Sequence, residues 1–199
     1  MKKLGILLSG RGSNFEAIAR AVEAGDVPAE IALVVSNKPN ARGLARAKEL
    51  GLAAECIPSK GVERSVYDAQ VMERFDALGV DLVCLAGYMR LLSAGFIERY
   101  RGRILNIHPS LLPSFTGLEA QAQALEYGVK VSGCTVHFVD EKLDHGPIIL
   151  QAAVPVQDGD DADSLSARIL AEEHRIYPEA IRSVLLDEVR LDGRRVVRR

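Results

Sequence analysis

Five short apolar runs punctuate the first half of the chain, at residues 4–8, 31–35, 53–57, 82–86 and 104–107, broken by Gly, Asn or Asp. Runs of that length and spacing predict buried strands. The stretches between them repeat with a helical period. Ser13-Asn14-Phe15-Glu16 has the form of a capping box, Phe15, Ile18 and Val22 continue one face, and Gly25 is a stop signal. A second helix is expected over residues 43–50 with Gly51 behind it. A third places Tyr67, Val71, Phe75 and Leu78 on one stripe ahead of Gly79. Buried strands separated by amphipathic helices imply βαβ units and a parallel sheet.

The second half changes character. Longer strand candidates at residues 131–139 and 148–156 are joined by residues 140–147, too few for a crossover helix, so these two strands are expected to be antiparallel neighbours. A long helix is expected from an N-cap at Asp163, with a kink or restart at Pro178. Residues 189–196 read as a terminal hairpin turning at Asp192-Gly193. No repeat or low-complexity segment appears. The expected fold is one α/β domain over residues 1–199: three layers, a Rossmann-like open and mainly parallel sheet with helices on both faces, and an antiparallel C-terminal part.

Composition narrows the class without naming a partner. The 199 residues are 48% hydrophobic and 26% charged, an ordinary globular mix, with a formal net charge of −2. Bulk charge therefore points to no nucleic acid and no membrane. The basic end, Arg194-Arg195-Val196-Val197-Arg198-Arg199, is expected to be a solvated tail, because arginines without aromatics make a poor nucleic-acid platform. Cys56, Cys84 and Cys134 form no CxxC pair, so neither a zinc site nor a disulfide framework is implied. The apolar runs fall short of the roughly 18 residues of a membrane helix, and the run after Lys2-Lys3 breaks too early for a signal peptide. The expected location is cytoplasmic.

Several residues stand out chemically. Ser9-Gly10-Arg11-Gly12-Ser13-Asn14 lies between the first strand and first helix, where freed N–H groups and the helix terminus suit an anion. A tight turn with an ordinary cap is the plain alternative, and no dinucleotide fingerprint is complete, since Phe15 occupies the third glycine position. Asn106 and His108 are two apart at the end of the fifth strand, so they address one spot beyond the sheet's carboxyl edge. An amide beside an imidazole suits a developing oxyanion; capping the sheet edge would be a structural role. His137 reads as a satisfied core histidine, and His145 and His174 carry no motif of their own. Asp144 is a loop carboxylate, and Glu173 interrupts the apolar stripe between Ile169 and Tyr177, where an unpaired charge is costly. Serine-elbow, HExxH and clustered-thiolate motifs are missing, which leaves a polarising, proton-moving site without a covalent nucleophile.

Taken together, the Ser-Gly-Arg-Gly-Ser-Asn loop, Leu85-Ala86-Gly87-Tyr88-Met89-Arg90-Leu91-Leu92, Asn106-Ile107-His108-Pro109-Ser110-Leu111-Leu112-Pro113 and Leu143-Asp144-x-Gly146-Pro147 resemble the folate-dependent formyltransferases. The match in order and spacing runs from about residue 4 to residue 178. The resemblance implies transfer of a formyl group from the co-substrate 10-formyltetrahydrofolate to the amine of glycinamide ribonucleotide, with no metal and no ATP. It implies Asn106, His108 and Asp144 as a catalytic trio. Gly12, Ser13 and Asn14 with Arg64 would hold the phosphate, and Glu173 the ribose hydroxyls. The pterin would lie against Met89, Arg90, Leu92 and the loop containing Asp140, Glu141 and Asp144. Phosphate binding would thus fall in residues 1–100 and folate binding with catalysis in 101–199. A cis Leu112-Pro113 bond is implied, and the chain could be a monomer or a homodimer. One position departs from the family: Glu119 stands where a His is usual.

Three rivals remain. A formyltetrahydrofolate deformylase would use the same trio with water as nucleophile, but is expected to carry an N-terminal regulatory domain, for which a first strand beginning by Lys3 or Leu4 leaves no space. A methionyl-tRNA formyltransferase would need a further C-terminal domain and a basic RNA surface. A non-catalytic phosphate-ligand module would not need Asn106, His108 and Asp144.

Overall fold

The computed structural model describes residues 1–199. Met1–Asn106 forms one compact unit and Ile107–Arg199 another. In the first, β1 (Lys2–Leu8), α1 (Ser13–Glu23), β2 (Ala29–Ser36), α2 (Arg42–Glu49), β3 (Ala54–Cys56), α3 (Arg64–Leu78), β4 (Leu82–Leu85) and α4 (Ala94–Arg99) alternate, and β5 (Ile104–His108) runs across the division. The second continues with α5 (Ala120–Tyr127), β6 (Val131–Phe138), β7 (Ile148–Pro155), α6 (Ala162–Leu185), β8 (Val189–Asp192) and β9 (Arg195–Arg198).

Strands β1 to β7 form one sheet in the order β3-β2-β1-β4-β5-β6-β7. β1 pairs in parallel with both β2 and β4, and β4 in parallel with β5. Chain order therefore reverses at β1. With right-handed crossovers, that reversal sends α1 and α2 to one face and α3 and α4 to the other, and the carboxyl ends of strands at such a switch point are where open α/β sheets bind ligands. β6 and β7 are antiparallel, as their short connection requires. The expected three-layer, mainly parallel α/β fold with an antiparallel C-terminal part is the one found.

Apolar periodicity explains the packing. Leu4, Ile6, Leu7 and Leu8 of β1 are fully buried, and Phe15 and Ile18 of α1 with Tyr67, Val71 and Phe75 of α3 are too. Phe75 meets Tyr100 edge-on at 6.4 Å between ring centroids, a geometry aromatic pairs favour. In the second unit Leu165, Ile169, Ile176, Tyr177 and Ile181 bury one face of α6.

Local details correct several expectations. Ser13 is the first helical residue of α1, not its cap; Gly12 holds that place with φ 83° and no side-chain cap. Only glycine fits, because a Cβ on Gly12 would lie 2.5 Å from the Gly43 Cα. α6 starts at an Asp161 cap instead of Asp163, since Asp161 and Ser164 complete a reciprocal capping box. α6 runs on through Pro178 without restarting. The hairpin turns on Gly193 and Arg194, because Asp192 pairs with Arg195 and both belong to the ladder. The basic end is therefore strand β9 and not a tail. Leu78 is 38% exposed, so the α3 stripe ends at Phe75.

Gly12→Ala should lower stability by about 1–3 kcal/mol, through its left-handed φ and the approach of Gly43. Urea unfolding would check this; an unchanged midpoint would contradict the account of the turn.

Candidate active site

In the first unit, side chains just past the strand ends are tied together. Ser9, following β1, donates through Oγ to Asn37 Oδ1 at 2.6 Å, and the Met89 N–H donates back to Ser9 Oγ at 2.8 Å. Asn37 Nδ2 donates to Ser59 Oγ at 3.1 Å, and Arg90 Nη1 reaches the Ser59 carbonyl at 3.4 Å. Residues after β1, β2, β3 and β4 thereby fix one another along the carboxyl edge. The Gly43 N–H donates to the Gly10 carbonyl at 3.0 Å and shapes the Gly-rich turn. That turn delivers the N-terminus of α1, where amide dipoles favour an anion. Ser13 is half-buried and Asn14 is buried there. Arg64 is exposed as the first residue of α3, behind a Glu63 cap.

The segment carrying Met89, Arg90 and Leu92 is braced from below. The Arg90 guanidinium lies 4.7 Å from the centroid of the Tyr67 ring, a cation–π distance. Asp68, buried on α3, accepts from the Ser93 N–H at 2.6 Å, and burial raises its carboxyl pKa above the ordinary range. Met89 is 62% exposed while Leu92 is buried. Sequence reasoning missed Asn37, Ser59 and Asp68. The available signal was positional: Asn37 and Ser59 each follow an apolar run, where a polar residue also reads as an ordinary strand stop.

On β5, pleat geometry puts Asn106 and His108 on one face. The His108 ring is almost fully buried, and its two nitrogens face different oxygens. Nε2 is 2.8 Å from the Phe115 carbonyl, and Nδ1 is 3.5 Å from Asp144 Oδ2. A carbonyl only accepts, so Nε2 must be the N–H donor, and Nδ1 is the nitrogen turned to the carboxylate. Asp144 is also secluded and takes a hydrogen bond from the Gly117 N–H at 2.7 Å. Its backbone is left-handed, φ 48°, a conformation Asp tolerates better than most residues. Gly146 lets this loop close on β6, since a Cβ there would stand 1.7 Å from the Phe138 carbonyl. Nothing in the sequence signals Phe115, because a backbone carbonyl has no residue code.

The loop between β5 and α5 is held from β6 and β7. The Leu112 N–H donates to Thr135 Oγ1 at 3.1 Å, Thr135 Oγ1 donates to the Ser110 carbonyl, and Gln151 Nε2 reaches the Leu112 carbonyl. The Leu112-Pro113 bond is cis, as the resemblance implied. Asp140 accepts from the Lys142 N–H and pairs with the His145 ring, while Glu141 is exposed. Glu173 is 6% exposed on the buried face of α6. Glu119 caps α5 in a left-handed conformation and points no side-chain bond into the helix. No group of three His, Cys, Asp or Glu side chains is arranged to hold a metal ion, and no helix is long and apolar enough to cross a membrane.

The end of β5 carries an amide and an imidazole two residues apart, and within the second unit a carboxylate faces that imidazole, a set suited to polarising a carbonyl and moving a proton. A family model for formyl transferases matches residues 2–181. The chain belongs to the formyl transferase family. It is 45% identical over 177 residues to the phosphoribosylglycinamide formyltransferase of Escherichia coli K12, spanning 88% of this chain and 84% of that protein. It is 51% identical over 183 residues to the trifunctional purine biosynthetic protein adenosine-3 of Drosophila melanogaster, and spans only 14% of that protein's length. Among solved structures, glycinamide ribonucleotide transformylase 1 from Symbiobacterium toebii superposes with a TM-score of 0.97 at 53% identity, covering 100% of this chain and 94% of that one.

His137, buried on β6, has its Nδ1 2.8 Å from the Phe138 carbonyl. Burial lowers its pKa below the usual 6.5, against the raising effects of the Phe138 carbonyl and Asp144. The unfolded chain then binds a proton more readily than the native one, so the stability contribution is complete above about pH 6.5 and is lost as pH falls through the lowered native value. The urea midpoint should therefore fall between pH 7.5 and pH 5, and His137→Gln should flatten that slope. Equal slopes for both proteins would refute this.

Proposed function

We propose that the protein transfers the formyl group of 10-formyltetrahydrofolate to the amine of glycinamide ribonucleotide, giving the formylated ribonucleotide and tetrahydrofolate, a step of purine biosynthesis. The observation that carries this is the His108–Asp144 pair next to Asn106 on β5, in a chain of the formyl transferase family. Likeness over 84% of the E. coli enzyme supports the choice of acceptor.

The residues divide the work as follows. The α1 terminus at Gly12, Ser13 and Asn14, with Arg64, holds the phosphate; Glu173 receives the ribose hydroxyls. Met89, Arg90, Leu92, Asp140 and Glu141 flank the folate. The substrate's neutral amine attacks the formyl carbon, and the carbonyl electron pair moves onto oxygen. Asn106 and His108 donate to that oxygen, and a donor of this kind contributes about 3–4 kcal/mol. Because the Nε2–H is committed to the Phe115 carbonyl, the ring donates to the formyl oxygen from Nδ1 once both nitrogens carry protons, with the Asp144 carboxylate as the counter-charge. Asp144 keeps the ring oriented and helps pass a proton from the attacking nitrogen to the folate nitrogen, which leaves as the C–N bond breaks. No metal and no ATP enter this sequence of steps. The protein acts in the cytoplasm, as a monomer or homodimer.

Incubation with 10-formyltetrahydrofolate, with and without glycinamide ribonucleotide, tests the reading. Folate should lose its formyl group only when the ribonucleotide is present; release without it would mean a deformylase, and no release at all a binding module. In the same assay Asp144→Asn should lower kcat by at least ~100-fold, the low end for a general acid–base group, with little change in either KM. Near-normal turnover would remove Asp144 from the mechanism.

A further inference from the structure

The C-terminal hairpin touches the loop that carries Asp144. Arg194, in the β8–β9 turn, donates through Nη2 to the His145 carbonyl, and its Nη1 lies 3.3 Å from His145 Nδ1. His145 Nδ1 is also 2.8 Å from Asp140 Oδ2. A nitrogen that donates to Asp140 cannot accept from Arg194, so the second arm of the guanidinium lies alongside the Asp140–His145 pair as a cation facing a carboxylate. The Asp140 carboxyl is held below its usual pKa: burial opposes this, and His145, the Lys142 N–H and Arg194 outweigh it. The residue that follows the left-handed Asp144 is thus held twice. Asp140 pins His145 from within the loop, and Arg194 pins the His145 carbonyl from outside.

We propose that Arg194 is a positioning residue for Asp144, acting through the backbone of His145. Asp144 has an uncommon backbone conformation and must aim one oxygen at both the Gly117 N–H and His108 Nδ1. The φ and ψ of His145 lie between its carbonyl and Asp144, so the restraint needs both of its anchors: with the carbonyl held by Arg194 and the ring held by Asp140, His145 cannot turn freely and Asp144 has little room to move. A shift near 1 Å at a reacting group can cost about 100-fold in rate. The neighbouring Arg195 is a natural control, because its only partner on the same hairpin is Asp192 at 3.4 Å. The proposal rests on Asp144 acting in formyl transfer.

The test uses the full chain in three variants, Arg194→Ala, Arg194→Lys and Arg195→Ala, with two measurements. Hydrogen exchange of residues 140–146 reads the anchoring directly, and steady-state kinetics with both substrates read its consequence. Arg194→Ala should exchange several-fold faster across this loop and lose about 10-fold in kcat, with KM for the ribonucleotide unchanged. Arg194→Lys, which keeps one cationic donor, should recover part of both effects, and Arg195→Ala should match the parent. Unchanged loop exchange in Arg194→Ala would overturn the anchoring. A loosened loop with normal kcat, or an equal loss in Arg195→Ala, would overturn the positioning role. If the parent protein transfers no formyl group, the catalytic reading of Asp144 fails, while the exchange measurement still decides whether Arg194 holds the loop.

Discussion

The imidazole of His108 is held between two acceptors, and much of the second unit serves that arrangement. The Phe115 carbonyl fixes one ring nitrogen as a donor, which leaves the other to face Asp144. Neither partner is placed cheaply. Phe115 and Asp144 both have left-handed backbones, and such residues persist only where surrounding contacts over-determine them. Those contacts are identifiable. Thr135 and Gln151 on the antiparallel β6–β7 pair tie down residues 110–112, the Gly117 N–H takes up the Asp144 carboxylate, and Gly146 lets the loop lie against β6.

A similar economy governs the first unit with different parts. The reversal of strand order at β1 brings the segments after β1 and β4 side by side, and Ser9 joins them by accepting from the Met89 N–H while donating to Asn37. Small residues make the turn ahead of α1 possible: Gly12 and Gly43 approach until no side chain fits between them. The anion preference of this place comes from backbone amides and a helix terminus, so it is a property of the fold as much as of any side chain.

The parts of this design carried by apolar periodicity were legible in the sequence. All seven sheet strands, the three helices of the first unit with regular stripes and the antiparallel β6–β7 pair follow from it. The elements it missed lack that signal. α4 spans only Ala94–Arg99, and α5 fully buries just Ala120 and Ala124. Caps were misplaced where tertiary contacts chose between neighbouring candidates, as with Gly12 over Ser13 and Asp161 over Asp163. For the site, spacing alone joined Asn106 to His108, and family resemblance supplied Asp144. Phe115, Asn37, Ser59 and Asp68 were invisible because their roles lie in a carbonyl or in long-range pairing. The basic end misled for the same reason: its arginines look like a solvated tail until Arg194 is seen against His145.

The tautomer of His108 is the most direct test of the arrangement on which the chemistry depends. Nitrogen-15 NMR of the imidazole ring, assigned by comparison with His108→Asn, distinguishes the two ring nitrogens. The account predicts a persistent N–H at Nε2, bonded to the Phe115 carbonyl, in the free protein. An unprotonated Nε2 with the proton localised on Nδ1 would contradict it, since the ring could then not be held by Phe115 in the orientation that presents Nδ1 to Asp144.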